Sequence, residues 1–194
     1  MNYKNITPPF SLEFHEMSKE ELKSYYQWFM NSIPERIKIL ESAVQSTPGF
    51  ENWKADFSVD SIELLDQWFS KNVVTRKKTI GEIKEIYANG PEWFKSVEID
   101  DWELTIRTFS LAMDMGMYLS QVFLKNASGV NWYQHLKGSK NYAYYGQPVL
   151  RGVSKVHFNP IAAMVTRAYG FARGKKKSSL KEMFQIWKES LMKQ

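Results

Sequence analysis

The stretch from Leu111 to Trp132, LAMDMGMYLSQVFLKNASGVNW, decides how the rest of the chain is read. Its first part is apolar at helical spacing. Met113, Met117, Ser120 and Leu124 cover one side, while Ala112, Tyr118, Leu119, Val122 and Phe123 spread over much of the rest. A helix that is apolar nearly all round is a buried one. Asn126 to Gly129 then reads as a turn, and Val130, Trp132 and Tyr133 suggest a short strand. The stretch is therefore the joint between a helical region before it and a mixed region after it.

Upstream, the residues through Pro8-Pro9 read as an extended lead-in. Ser18-Lys19-Glu20-Glu21 has the form of a capping box, and Leu22, Tyr25, Tyr26 and Phe29 follow at helical spacing, with Trp28 widening the face. Pro34 is placed to open a second helix carrying Ile37, Leu40 and Val44, which Thr47-Pro48-Gly49 stops. Phe50 to Phe57 suits a short extended piece. Ser58 or Asp60 then caps a helix with Ile62, Leu65, Trp68 and Phe69 on one face. Lys71 to Tyr87 continues helically, although β-branched Val73, Val74 and Thr75 blur its register. Asn89-Gly90-Pro91 is a firm break, after which Asp100 or Thr105 starts the long helix of the opening stretch.

Downstream, Tyr142 to Tyr145 and Val149 to Val153 read as strands around a Gly146-Gln147-Pro148 turn. Asn159-Pro160 opens a helix that buries Ile161, Met164, Val165 and Ala168, and ends near Gly170 to Gly174. Ser178 or Ser179 caps the last helix, whose apolar side is Leu180, Met183, Phe184, Trp187 and Leu191. The expected fold is α+β: a mostly helical N-terminal part, then a small antiparallel sheet covered by helices. Residues 1–194 read as one domain, with an acidic helical part over 1–100 and a basic α+β part over 101–194.

The charge is split between those parts. Residues 1–100 carry 12 Lys/Arg against 16 Asp/Glu and residues 101–194 carry 14 against 5, so halves of −4 and +9 make the net +5. No acid occurs between Asp114 and Glu182. Such a region attracts phosphate or an acidic protein patch, unless the acidic half packs against it and neutralises it. The chain has no Cys, which excludes disulfides and thiolate chemistry. Its N-terminus lacks the h-region of a signal peptide, and the apolar segment around Phe109 to Leu124 is interrupted by Asp114, Gly116, Ser120 and Gln121. A cytoplasmic protein that does not enter the membrane is expected.

Catalytic signatures are lacking. The three His, at positions 15, 135 and 157, are scattered in sequence and form no HxxxH or HxH ligand pair, so no metal or cofactor is expected. There is no GxSxG elbow and no phosphate-binding glycine motif. Asp100, Asp101 and Glu103 read as helix-start acids that favour the positive end of the macrodipole. Asp114, in its apolar helix, is expected to pair with a cation such as Arg107 or Arg167, which would lower its pKa. No catalytic residue is assigned.

Three segments, GMYLSQVFLKNASGVNW, YYGQPVLRG and FNPIAAMVTRAYG, resemble a pattern in uncharacterised proteins of Bacillus-like bacteria. The pattern is a G-x-Y helix, a G-x-x-W strand, a proline-bearing strand and an N-P-opened helix. The N-terminal WFMNSIPERIKIL is similar to the same group. Gln121 stands where many such modules carry an acid. The resemblance implies an interaction role, in some cases that of an immunity protein, and carries no catalytic motif.

The functional expectation is therefore a non-enzymatic interaction protein of immunity or antitoxin type, binding a protein with an acidic or apolar patch. Candidate contact residues are Tyr142, Tyr144, Tyr145, Arg151, Lys155, His157 and Lys175, Lys176 and Lys177. The alternative is a nucleic-acid-binding protein that uses the same basic half, with Trp132, Tyr133 and the tyrosines as stacking groups.

Overall fold

A computed structural model describes residues 3–11, 13–175 and 178–193. The described chain is α+β, with six α-helices and two small antiparallel sheets. Helix α1 (Lys19–Gln45) begins at the expected capping box: Glu21 N donates to Ser18 Oγ at 3.2 Å, and Ser18 N donates to Glu21 Oε2 at 2.8 Å. It does not restart at Pro34 but runs through it. Phe29, Ile33, Ile37 and Leu40 form one buried stripe across the proline, and that packing outweighs the backbone hydrogen bond Pro34 cannot donate.

Helix α2 (Ser61–Asn72) buries Ile62, Leu65, Trp68 and Phe69 as expected. The chain then departs from the sequence reading. In place of a continuing helix, Thr75–Lys77 forms strand β1, paired antiparallel with β2 (Trp102–Leu104). The β-branched run that blurred the helical register is what favours extended backbone here. Between the strands, α3 (Ile80–Asn89) is capped by Thr79 and buries no residue. It ends at the Asn89-Gly90-Pro91 break and is followed by a 3-10 turn at Glu92–Ser96.

The long helix α4 (Ile106–Asn126) takes Thr105 as its N-cap, and residues 110–120 are buried on every side. Gly116 permits this. A Cβ there would lie 2.5 Å from Ile161 Cδ1 and 2.9 Å from Ile161 Cα, so its absence lets α5 (Pro160–Ala172) approach closely. Tyr118 fills the core with its ring, while its hydroxyl lies 2.6 Å from Ser61 Oγ and accepts from Phe57 N at 3.1 Å. No helix of the described residues is long and apolar enough to cross a membrane.

Beyond α4, strands β3 (Asn131–Gln134), β4 (Pro148–Arg151) and β5 (His157–Phe158) form an antiparallel sheet in that order. Pro148 is the first residue of its strand, where its missing N–H is tolerated. Tyr142 to Tyr145 is not a strand. It is a series of turns ending in a single bridge between His135 and Tyr145. Helix α5 starts at Asn159, whose Oδ1 accepts from Ile161 N and Ala162 N, and α6 (Leu180–Met192) starts at Ser179.

Candidate functional site

Packing neutralises part of the basic half. Arg167 is bound bidentately by Asp66, Arg173 Nη2 lies 2.5 Å from Asp100 Oδ2, and Lys181 Nζ lies 2.8 Å from Asp60 and 3.3 Å from Glu63. All these acids come from the N-terminal half. Asp100 therefore serves Arg173, and Glu103 sits in β2 against Arg76. Neither acid stands at a helix start, because α4 begins three residues after Glu103 and has no acid in its first turn.

Two cations without ion pairs among the described residues, Arg151 and Lys155, lie on the three-stranded sheet and its β4–β5 connection. Side chains alternate across a strand, so the register divides the sheet into two faces. Trp132, Leu150 and Phe158 form one cross-strand row, with Leu150 and Phe158 buried and Trp132 set edge-on 5.3 Å from Phe29. Asn131, Arg151 and His157 form the next row, on the other face. Tyr133 shares that face, and its ring stacks on His157 at 5.1 Å and 26° while the Arg151 guanidinium lies 5.1 Å over it. Arg151 is exposed and forms no ion pair among the described residues.

His135 and Tyr142 complete the cluster. The His135 ring lies 5.6 Å from His157 and 4.9 Å from Tyr142, and Tyr142 Oη and His157 Nδ1 share a hydrogen bond of 2.9 Å. Nδ1 of His135 is buried without a hydrogen bond among the described residues. Burial pushes the His157 imidazole below its ordinary pKa, aided by the charges of His135 and Arg151. Burial likewise raises the Tyr142 phenol. The result is a ring-lined surface with the exposed Arg151 cation over it, suited to an aromatic or acidic contact.

The sequence candidates separate in three dimensions. Tyr142, Arg151 and His157 come together, and Lys155 is exposed on the β4–β5 connection beside them. Tyr144 meets Tyr142 at 5.9 Å but turns into a cleft behind the sheet. Tyr145 is 3% exposed and belongs to the core, so it offers no contact surface. Lys175 is exposed after α5, and Lys176 and Lys177 lie outside the described residues. Sequence reasoning named Tyr133 only as a stacking group for nucleic acid, and it missed His135. Their signal was the two-residue spacing that puts both on one face of β3 and its continuation, and His135 meets His157 because β3 and β5 flank β4.

Asp114 has a structural partner other than either expected arginine. Arg36 of α1 grips it through Nε and Nη2 at 2.8 and 2.7 Å, and the Tyr3 hydroxyl also donates to it. Arg36 Nη1 further donates to Lys4 O at 2.9 Å, tying the N-terminal segment to the same point. Burial pushes the Asp114 carboxyl above its ordinary pKa, against the opposing hydrogen bonds and field of Arg36. The expected lowering is thus reversed by desolvation. Accepting one hydrogen bond at Oδ1 and two at Oδ2, Asp114 holds two helices and the N-terminal segment together.

Among the described residues one trio, Glu13, His15 and Glu16, has ligand atoms within 4.8 Å of one another. All three are exposed, and His15 is already 3.6 Å from Glu16. Nothing buried or oriented marks that trio as a metal centre. In comparisons with protein-family models, curated proteins and solved structures, the chain matches none.

Proposed function

We propose that this protein is a non-enzymatic interaction protein of the bacterial cytoplasm, of immunity or antitoxin type. Its contact face is the outer side of β3–β4–β5, and its partner is a protein that presents an acidic segment. The observation that carries this reading is Arg151. It stays exposed beside Tyr133, His157 and Tyr142, whereas Arg167, Arg173 and Lys181 are paired with acids of the N-terminal half. Tyrosine and arginine are the residues that dominate protein-protein contacts, and charge complementarity then selects an acidic partner. The resemblance to immunity-type modules points the same way. Nucleic acid is the less favoured ligand. Tyr133 is already engaged by both His157 and Arg151, which takes that ring out of a base-stacking platform.

A photo-crosslinking amino acid at Tyr142, introduced in cells, tests the reading. The expected product is a protein adduct that Arg151→Glu and Lys155→Glu together abolish. A polynucleotide adduct, lost at high salt, would overturn it in favour of nucleic-acid binding.

A further inference from the structure

His135 and His157 are 22 positions apart in the chain and show no ligand spacing, yet the sheet brings their rings to 5.6 Å. Tyr142 closes a triangle with them, at 4.9 Å from His135 and 5.8 Å from His157. Within it, His135 Nδ1 is buried and makes no hydrogen bond among the described residues. The other ring nitrogen, Nε2, lies beside the turn at Gly138, where a Cβ would be 3.9 Å away. A buried ring nitrogen without a partner needs a proton donor, a water or an ion.

The spacing fits an ion. Bonds of about 2.0–2.1 Å at tetrahedral to trigonal angles hold two imidazole centroids roughly 5–6 Å apart, and neighbouring ligand atoms roughly 3 Å apart. Tyr142 Oη and His157 Nδ1 are 2.9 Å apart, joined now by one shared proton. The donor set also limits the metal. All three groups lie in the stretch between Asp114 and Glu182 that carries no acid, so there is no oxygen cage for calcium or magnesium. Two imidazoles and a phenol suit zinc or copper.

We propose that His135 Nδ1, His157 Nδ1 and Tyr142 Oη hold a divalent zinc or copper ion, its fourth position open on the sheet face. The ion takes the place of the proton shared by Tyr142 and His157, and that proton leaves to water. The phenolate so formed offsets part of the ion's charge, which the Arg151 guanidinium nearby opposes. Tyr142 is 37% exposed, so solvent reaches the position from the face. The assignment does not rest on the protein-partner reading.

Titration of the tag-free chain with Zn2+ and Cu2+ by calorimetry tests it, with the copper form read by electron paramagnetic resonance and visible absorption. The expected result is one ion per chain at micromolar concentration, with coupling to two imidazole nitrogens and a phenolate-to-copper charge-transfer band. Tyr142→Phe should remove that band. His135→Gln and His157→Gln should each weaken Zn2+ by at least tenfold, a loss that even outer-shell changes cause. His15→Gln should change nothing, which separates this site from the Glu13, His15 and Glu16 trio. Circular dichroism checks that each variant folds, and Tyr142→Phe, a change at an exposed ring, keeps the test decisive if a histidine variant does not. Absence of one-to-one binding in the native chain overturns the proposal and leaves a water as the partner of His135. Binding that survives both histidine changes, or is lost on His15→Gln, overturns it as well.

Discussion

Arg36 and Asp114, 78 positions apart, form a bidentate ion pair between α1 and α4, with 5% and 0% of their surfaces exposed. Burial works against the Arg36 charge, yet the hydrogen bonds and field of Asp114 hold its pKa above the ordinary value. The pair also receives Tyr3, whose own phenol is raised by burial and by Asp114. It acts as a clamp of the helical scaffold.

Removing one side of that clamp strands the other. Asp114→Asn should cost about 3–5 kcal/mol, because the Arg36 guanidinium stays buried without its counter-charge. The double variant Arg36→Met, Asp114→Leu should lose less than either single change. Urea unfolding midpoints at constant m-value give the comparison. A loss for Asp114→Asn within the range of surface substitutions would show that the pair does not hold the helices.

Gly116→Ala should destabilise by about 1–3 kcal/mol, the usual cost of overpacking. The new Cβ meets the Ile161 backbone, with N at 3.0 Å and Cα at 2.9 Å, as well as the side chain. Trimming Ile161 to Ala should therefore restore only part of the loss. Full rescue by Ile161→Ala in thermal unfolding would contradict the close approach of α4 and α5.

His157 is held below its ordinary value of 6.5 by burial, His135 and Arg151. The unfolded chain then takes up a proton at a higher pH than the folded one. Stability from this group is complete above the unfolded value and is lost as pH falls from there to the folded value. The melting temperature should drop between pH 7.5 and 5.5 by more in the native protein than in His157→Gln. Equal drops would remove His157 from the balance.

Glu82 is pulled down to about 2, first by its hydrogen bonds with Arg76 and then by those at the α3 cap with Thr79. Its contribution is present above the ordinary glutamate value and fades as pH falls toward 2. In Arg76→Gln the Glu82 carboxyl should titrate closer to its ordinary value, which carboxyl-carbon NMR reads directly. An unchanged titration would mean that the cap, not the arginine, sets it.

Arg151→Glu and Lys155→Glu change exposed side chains that form no ion pairs among the described residues. Their unfolding free energy should stay within about 0.5 kcal/mol of the native value. Partner binding should fall at the same time. A large stability loss would mean that these cations support the fold rather than a contact.

Helices with a strong apolar period and a sharp cap were legible in advance. Ser18 with Glu21, Thr105, and Asn159 with Pro160 begin helices where local chemistry requires, because a cap satisfies amides within three residues of itself. The α+β class was legible from the order of those helices and of the short alternating segments after α4. The β1–β2 ribbon was not, since three-residue strands carry too little alternation and form only when each finds the other. Pro34 misled because the stripe that carries α1 through it becomes favourable only against α4.

The sequence by itself determined the sharply capped helices, the joint after α4 and the charge split between the two halves. Tertiary structure decided the partners. It gave Asp114 to Arg36, Arg167 to Asp66, and His135 and Tyr133 to His157. Caps and periodicity act over a few residues of chain, whereas ion pairs and ring contacts depend on distance in space. An acid-free run of sequence therefore became one neutralised region and one open cationic, aromatic face.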